Sequence, residues 1–155
     1  MKASFKVVIA GLAVVLASSF PALSFAQDSG QEGDVTLPPV QSQGQIEFIA
    51  GGVGKEEGEA ILGAAKSWPL LLELTQISGP RAVYISDVQI KIKDKSDKSG
   101  NVVLDITVDG PHVLVKLPPG KYGIDATYES RTIRRDVTIQ RGQNKKIGLT
   151  WPASQ

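Results

Sequence analysis

The sequence has no cysteine, a single histidine and a single methionine in 155 residues. Without cysteine, disulfides, thiol chemistry and thiolate-held metals are all excluded. His112 alone falls well short of the three or four ligands that a zinc site needs. No Gly-x-Ser-x-Gly elbow occurs, so a Ser-His-Asp hydrolase has no recognisable nucleophile turn. Aromatic residues are few, and most lie in the first 26 residues or at core-type positions. An interleaved row of exposed rings for nucleic acid is therefore missing. Neither sign of charge dominates, the formal net charge being +1. The composition thus gives no reason to expect nucleic acid or an anionic membrane surface as partner. The expectation is no catalytic residue, no metal and no cofactor.

The longest apolar run is Val7 to Phe20, preceded by Lys2 and Lys6 and closed by Pro21. It is shorter than the ~20 residues of a spanning helix. Leu23-Ser24-Phe25-Ala26 then puts small residues before Gln27, which is the order of a cleavable signal peptide cut between Ala26 and Gln27. Export to the periplasm follows, with no membrane anchor after cleavage. Removing residues 1–26 from 155 leaves 129, enough for one domain with its own core.

Residues 27–44 are rich in Gly, Gln, Ser and Pro and read as a flexible leader. Residues 45–69 hold a short alternating strand, Gln45 to Ile49, then a glycine-rich turn and a helix. Gly51-Gly52-Val53-Gly54 marks a turn or close backbone approach, because the spacing fits neither a Walker loop nor a dinucleotide fingerprint. Lys55 to Trp68 carries Ile61, Ala64, Ala65 and Trp68 on one face, the period of an amphipathic helix ended by Pro69. Its acidic start, Glu56, Glu57 and Glu59, is a candidate partner surface. From Leu70 to residue 152 the pattern turns to period two with a turn signal every 8–12 residues, the spacing of a β-sandwich.

Seven strands are predicted there. Leu70 to Gln76 is almost wholly apolar, and Tyr84 to Asp94 is one long strand with Val88, Ile90 and Ile92 inward. Val102, Leu104, Ile106 and Val108 line the next, and Val113, Val115 and Leu117 the fourth. After Pro118-Pro119-Gly120, where glycine supplies positive φ, Tyr122, Ile124, Ala126 and Tyr128 point inward. Ile133 to Gln140 and Ile147 to Trp151 complete the set. His112, beside Gly110-Pro111, reads as a partly exposed strand residue. Lys91, Lys93, Lys116, Arg131, Arg134 and Arg135 share an outward basic surface, and Asp94, Asp97, Asp105 and Asp109 have no calcium-loop spacing. Charge is split along the chain: 2 basic and 8 acidic residues in 27–80, against 13 basic and 8 acidic in 81–155.

The stretch from Val88 to Leu149 resembles the transthyretin-like, or carboxypeptidase-regulatory-like, β-sandwich family. The matching pieces are DVQIKIKD…SGNVVLDITVDGP, VKLPPGKYGIDATYES and RRDVTIQRGQNKKIGLTW. The resemblance implies a seven-stranded antiparallel Greek-key sandwich with one short N-terminal helix. It also implies a non-enzymatic accessory module that binds an envelope partner, as in small exported bacterial proteins carrying this domain. The several histidines and the Tyr-Arg-Gly-Ser ending of the hydroxyisourate hydrolases are absent here. A periplasmic hydrolase using carboxylates and His112 is the alternative.

Overall fold

The structure is a computed structural model that describes residues 36–96 and 98–154. The expected cleavage point, Ala26–Gln27, and Asp97 lie outside the described residues.

Among the described residues ten strands and one α-helix follow one another. They are β1 (Gln41–Gln43), β2 (Ile46–Gly51), α1 (Lys55–Ala64), β3 (Leu70–Ser78), β4 (Arg81–Tyr84), β5 (Val88–Asp94), β6 (Val102–Val108), β7 (His112–Lys116), β8 (Gly120–Tyr128), β9 (Arg131–Ile139) and β10 (Lys145–Trp151). The first sheet runs β1-β2-β7-β3-β10, with β4 also on β3; the second runs β6-β5-β8-β9. The described residues are thus mainly β, with two sheets and one helix.

One apolar core joins the two sheets in a sandwich-like arrangement. Phe48, Leu72 and Val115 of the first sheet meet Ile90, Leu104 and Ile124 of the second. Val88 and Leu149 belong to the same interior.

The first sheet is apolar on its outer face too. Ile49, Leu71 and Leu114 alternate with the inward residues of β2, β3 and β7 and meet Ile61 of α1. This explains the unbroken Leu70-Leu71-Leu72 run: a strand buried on both faces has no polar alternation. The helix therefore lies on the face of the sheet, not over an edge or end. A 3-10 turn, Ala65–Ser67, extends it to Trp68. Asn144 Nδ2, from the β9–β10 turn, donates to the carbonyls of Lys66 and Trp68 at 2.9 and 2.8 Å. These contacts satisfy helix-end acceptors that the chain leaves open.

Several expectations change. The described residues form ten strands: β2 answers to the strand expected at Gln45 to Ile49, and β1 and β4 add to that strand and the seven expected from Leu70 onward. β10 pairs with β3 in parallel, Lys145 against Leu70 through Trp151 against Gln76, so the sheets are not wholly antiparallel. The segment from Tyr84 to Asp94 is two strands in different sheets. Asp87, at φ 59°, breaks the extended backbone between them and carries the chain across the core. Val102 is exposed and Val103 packs on the core instead. A bulge there sets Lys93 opposite Val102 after Ile92 opposite Leu104, which reverses the faces.

Gly120 does not have positive φ. It admits the Tyr122 ring, whose hydroxyl donates to the Pro118 carbonyl at 2.8 Å. β1 falls within the stretch expected to be leader. It is wholly polar and is held by main-chain pairing to β2 and by the Gln43 side chain. That amide accepts from the Asp105 N–H at 2.6 Å and donates to its carbonyl at 3.0 Å, closing the β6 edge as a neighbouring strand would.

Candidate functional site

His112 stands at the start of β7, where three close approaches converge. Its neighbours across the sheet are Gly51 of β2 and Glu73 of β3. Gly52, at φ 91°, lies against the ring, and a Cβ there would come within 2.7 Å of Cδ2. Gly58 of α1 faces the same ring edge. Tyr84 closes the site edge-to-face, with ring centroids 4.9 Å apart and planes at 77°. The glycines remove the side chains that would otherwise occupy the imidazole's place. His112 is 2% exposed, which corrects the partly exposed position expected of it.

A cleft of about 400 Å³ opens above this corner, bounded by the Gly52–Gly54 loop, Lys55, Glu59, Leu62, Tyr84 and His112. Beside it, Gly52, Val53, Tyr84, Ile85, Ser86 and Pro111 bound a smaller one of about 150 Å³. Val53 and Tyr84, at 75% and 59% exposure, form the ridge between the two. Ile77, at 40%, is exposed on the same face at the end of β3, whereas Val83, at 43%, is exposed on the other face of β4.

The His112 Nδ1 atom is buried and makes no hydrogen bond. Burial holds the imidazole below its ordinary value of 6.5, and the Lys146 cation acts in the same direction. The Glu73 carboxylate and the Pro111 carbonyl oppose them. Glu73 is itself committed to Lys146 at 2.9 Å.

A pH dependence follows from this shift. Well above pH 6.5 the ring is neutral in both folded and unfolded chains. As the pH falls through 6.5 the unfolded chain binds a proton that the folded chain refuses. Stability therefore declines until the folded pKa is passed. His112→Leu keeps similar volume without a titrating group. Its urea-unfolding free energy is expected to fall less than wild type between about pH 7.5 and pH 5. Equal slopes in the two proteins would contradict the assignment.

The acidic residues of α1 divide. Glu56 and Glu59 are exposed, with Glu59 4.0 Å from Lys55. Glu57 is half-buried, its carboxylate folded over Gly51.

The basic residues do not form one surface either. Lys91 pairs with Asp105, and Lys93 and Arg134 both pair with Asp125, on the outer face of the second sheet. Lys116 pairs with Glu47 on the first sheet. Arg131 and Arg135 donate to the carbonyls of Ala153 and Arg134. Asp94 and Asp105 are also apart in role: Asp94 accepts from the Ser96 amide, while Asp105 serves Gln89 and Lys91. Among the described residues no three His, Asp or Glu side chains gather as metal ligands.

Sequence reasoning missed β4 and the burial of His112. The signal for the second was present in Gly51-Gly52, Gly58 and Gly110, which pack around one corner. Neither a protein-family model nor a curated protein matches the chain.

Proposed function

We propose that the protein is a non-enzymatic module, exported to the periplasm, that binds a partner in the cell envelope. The partner meets the face formed by β4, the Gly52–Gly54 loop and α1. The observation that carries this reading is the pair of exposed apolar residues there: Val53 and Tyr84 line both clefts, and Ile77 is exposed on the same face of the sheet as Tyr84. Contiguous exposed apolar surface marks interaction sites. The outer face of the second sheet, by contrast, is a lattice of ion pairs.

The domain itself we assign to the transthyretin-like, carboxypeptidase-regulatory-like Greek-key sandwiches, on the motifs from Val88 to Leu149. The hydrolase alternative needs an oriented base. The neighbouring carboxylate of Glu73, which would have to orient it, is tied to Lys146.

Export is tested by intact mass, which should correspond to a chain beginning at Gln27; retention of residues 1–26 would refute it. Binding is tested by capture from the native envelope. Val53→Asp with Tyr84→Asp should reduce recovery of the partner at least tenfold, with circular dichroism unchanged. Lys121→Asp, at an exposed position of β8, should not. Undiminished recovery by the double variant would move the site elsewhere.

A further inference from the structure

The first sheet has an unfilled lane. β10 flanks β3 on one side from Leu70 to Gln76. On the other side β7 pairs with Leu70–Glu73 and β4 with Thr75–Ser78, so β7 and β4 lie end to end in one lane. In the next lane β2 runs beside β7 as far as the Gly51–His112 pair. There Gly52 takes φ 91° and the chain leaves for α1. Beside β4, where β2 would have continued, no strand stands among the described residues; β4 is paired with β3 alone.

The main chain facing that lane is unsatisfied in a regular way. The Ile85 amide donates to the Leu74 carbonyl at 3.2 Å. Antiparallel alternation then turns the N–H and C=O groups of Ala82 and Tyr84 away from β3 and into the lane. All four residues of β4 are exposed. A row of outward amides at a two-residue repeat is matched by the main chain of another extended peptide. The smaller cleft, between Val53, Tyr84 and Pro111, sits at the head of the lane. The larger lies over the outer face, where Tyr84 and His112 point.

We propose that the envelope partner is recognised through an extended segment that adds to β4 as an extra strand. Its main chain pairs with Ala82 and Tyr84, and one apolar or aromatic side chain enters the cleft between Tyr84, Leu62 and the Gly52–Gly54 loop. The proposal rests on the binding reading above and specifies its ligand. Strand addition draws affinity from main-chain hydrogen bonds and specificity from pockets for alternate side chains. An uncharged side chain suits this pocket, because its walls are apolar and its one rim cation, Lys55, is already beside Glu59. The lane continues that of β2, so it takes one extended segment such as a tail or loop.

The test is selection of a phage-displayed random peptide library on the full chain. Enriched peptides should alternate apolar and polar residues. They should lose at least tenfold affinity for Ala82→Pro, which deletes an outward N–H while leaving the bonds to β3 intact. Melting temperature and circular dichroism of that variant, expected to match wild type, show that the hairpin survives. A second variant, Leu62→Glu, should weaken the same peptides from the pocket side.

Peptides that bind Ala82→Pro as well as wild type would overturn strand addition, as would a library yielding no binder. So would a concentration-dependent dimer that Ala82→Pro abolishes, since the lane would then belong to a second copy of the chain. In each case the envelope-capture result stands or falls independently.

Discussion

Gly110→Ala is expected to destabilise the protein by on the order of 4 kcal/mol, a large share of the stability of a typical domain. Gly110 is buried in the turn before β7, and a methyl there would overlap the backbone of Gly51, not the end of a side chain. Gly51 has no room to retreat. It is paired with His112 on one side, and Pro38 and the Glu57 carboxylate cover it. Relief would require separating β2 from the turn, which undoes the corner where the sheet, the glycine loop and α1 meet. Gly51→Ala provides the contrast. Its nearest obstacle is the Glu57 carboxylate, the end of a flexible side chain that can rotate away. The expected loss there is about 1–2 kcal/mol. Urea unfolding of both variants checks the pair, and a loss under about 1 kcal/mol for Gly110→Ala would show that the turn can move.

Trp151→Ala is expected to cost about 3–5 kcal/mol. The indole is 1% exposed at the end of β10, and its Nε1 donates to the Arg131 carbonyl at 2.9 Å. Its ring meets Tyr128 edge-to-face at 5.9 Å. Trp151 belongs to the first sheet and both partners to the second, so one side chain ties the two sheets together at that end. Trp151→Phe retains most of the apolar burial and loses the hydrogen bond, for an expected cost of about 1 kcal/mol plus any void. Thermal unfolding distinguishes the two contributions. If Phe proved as damaging as Ala, the hydrogen bond rather than the packing would be the tie.

The interior was legible in the sequence because period-two alternation is strict in β5 and β8, and alternation fixes faces. The helix was legible from Ile61, Ala64, Ala65 and Trp68. Its seat on the face of the first sheet was written in Leu70-Leu71-Leu72, whose lack of alternation requires cover on both sides. Less was legible where main chain, not side-chain pattern, decides. β1 is Gln-Ser-Gln and carries no apolar signal, being held by pairing to β2 and by the Gln43 amide on β6. The bulge at Val103 reverses Val102 without any Gly or Pro to announce it. Asp87 looks like one more outward polar residue, yet its positive φ moves the chain between sheets.

The candidate site suffered most from this. His112 begins a strand buried on both faces, and the placement of Gly52, Gly58 and Tyr84 against its ring accounts for its burial. The unfilled lane beside β4 depends on where β2 leaves the sheet. No local pattern in Arg81–Tyr84 reports that.

The central claim is that the face around Tyr84 and Val53 meets the partner in the envelope. Photo-crosslinking tests it most directly, with a photoreactive amino acid placed singly at Tyr84, at Val53, and at Lys93 on the outer face of the second sheet. One discrete adduct from Tyr84 and Val53, absent from Lys93, is the predicted result. An adduct from Lys93 alone would contradict the account.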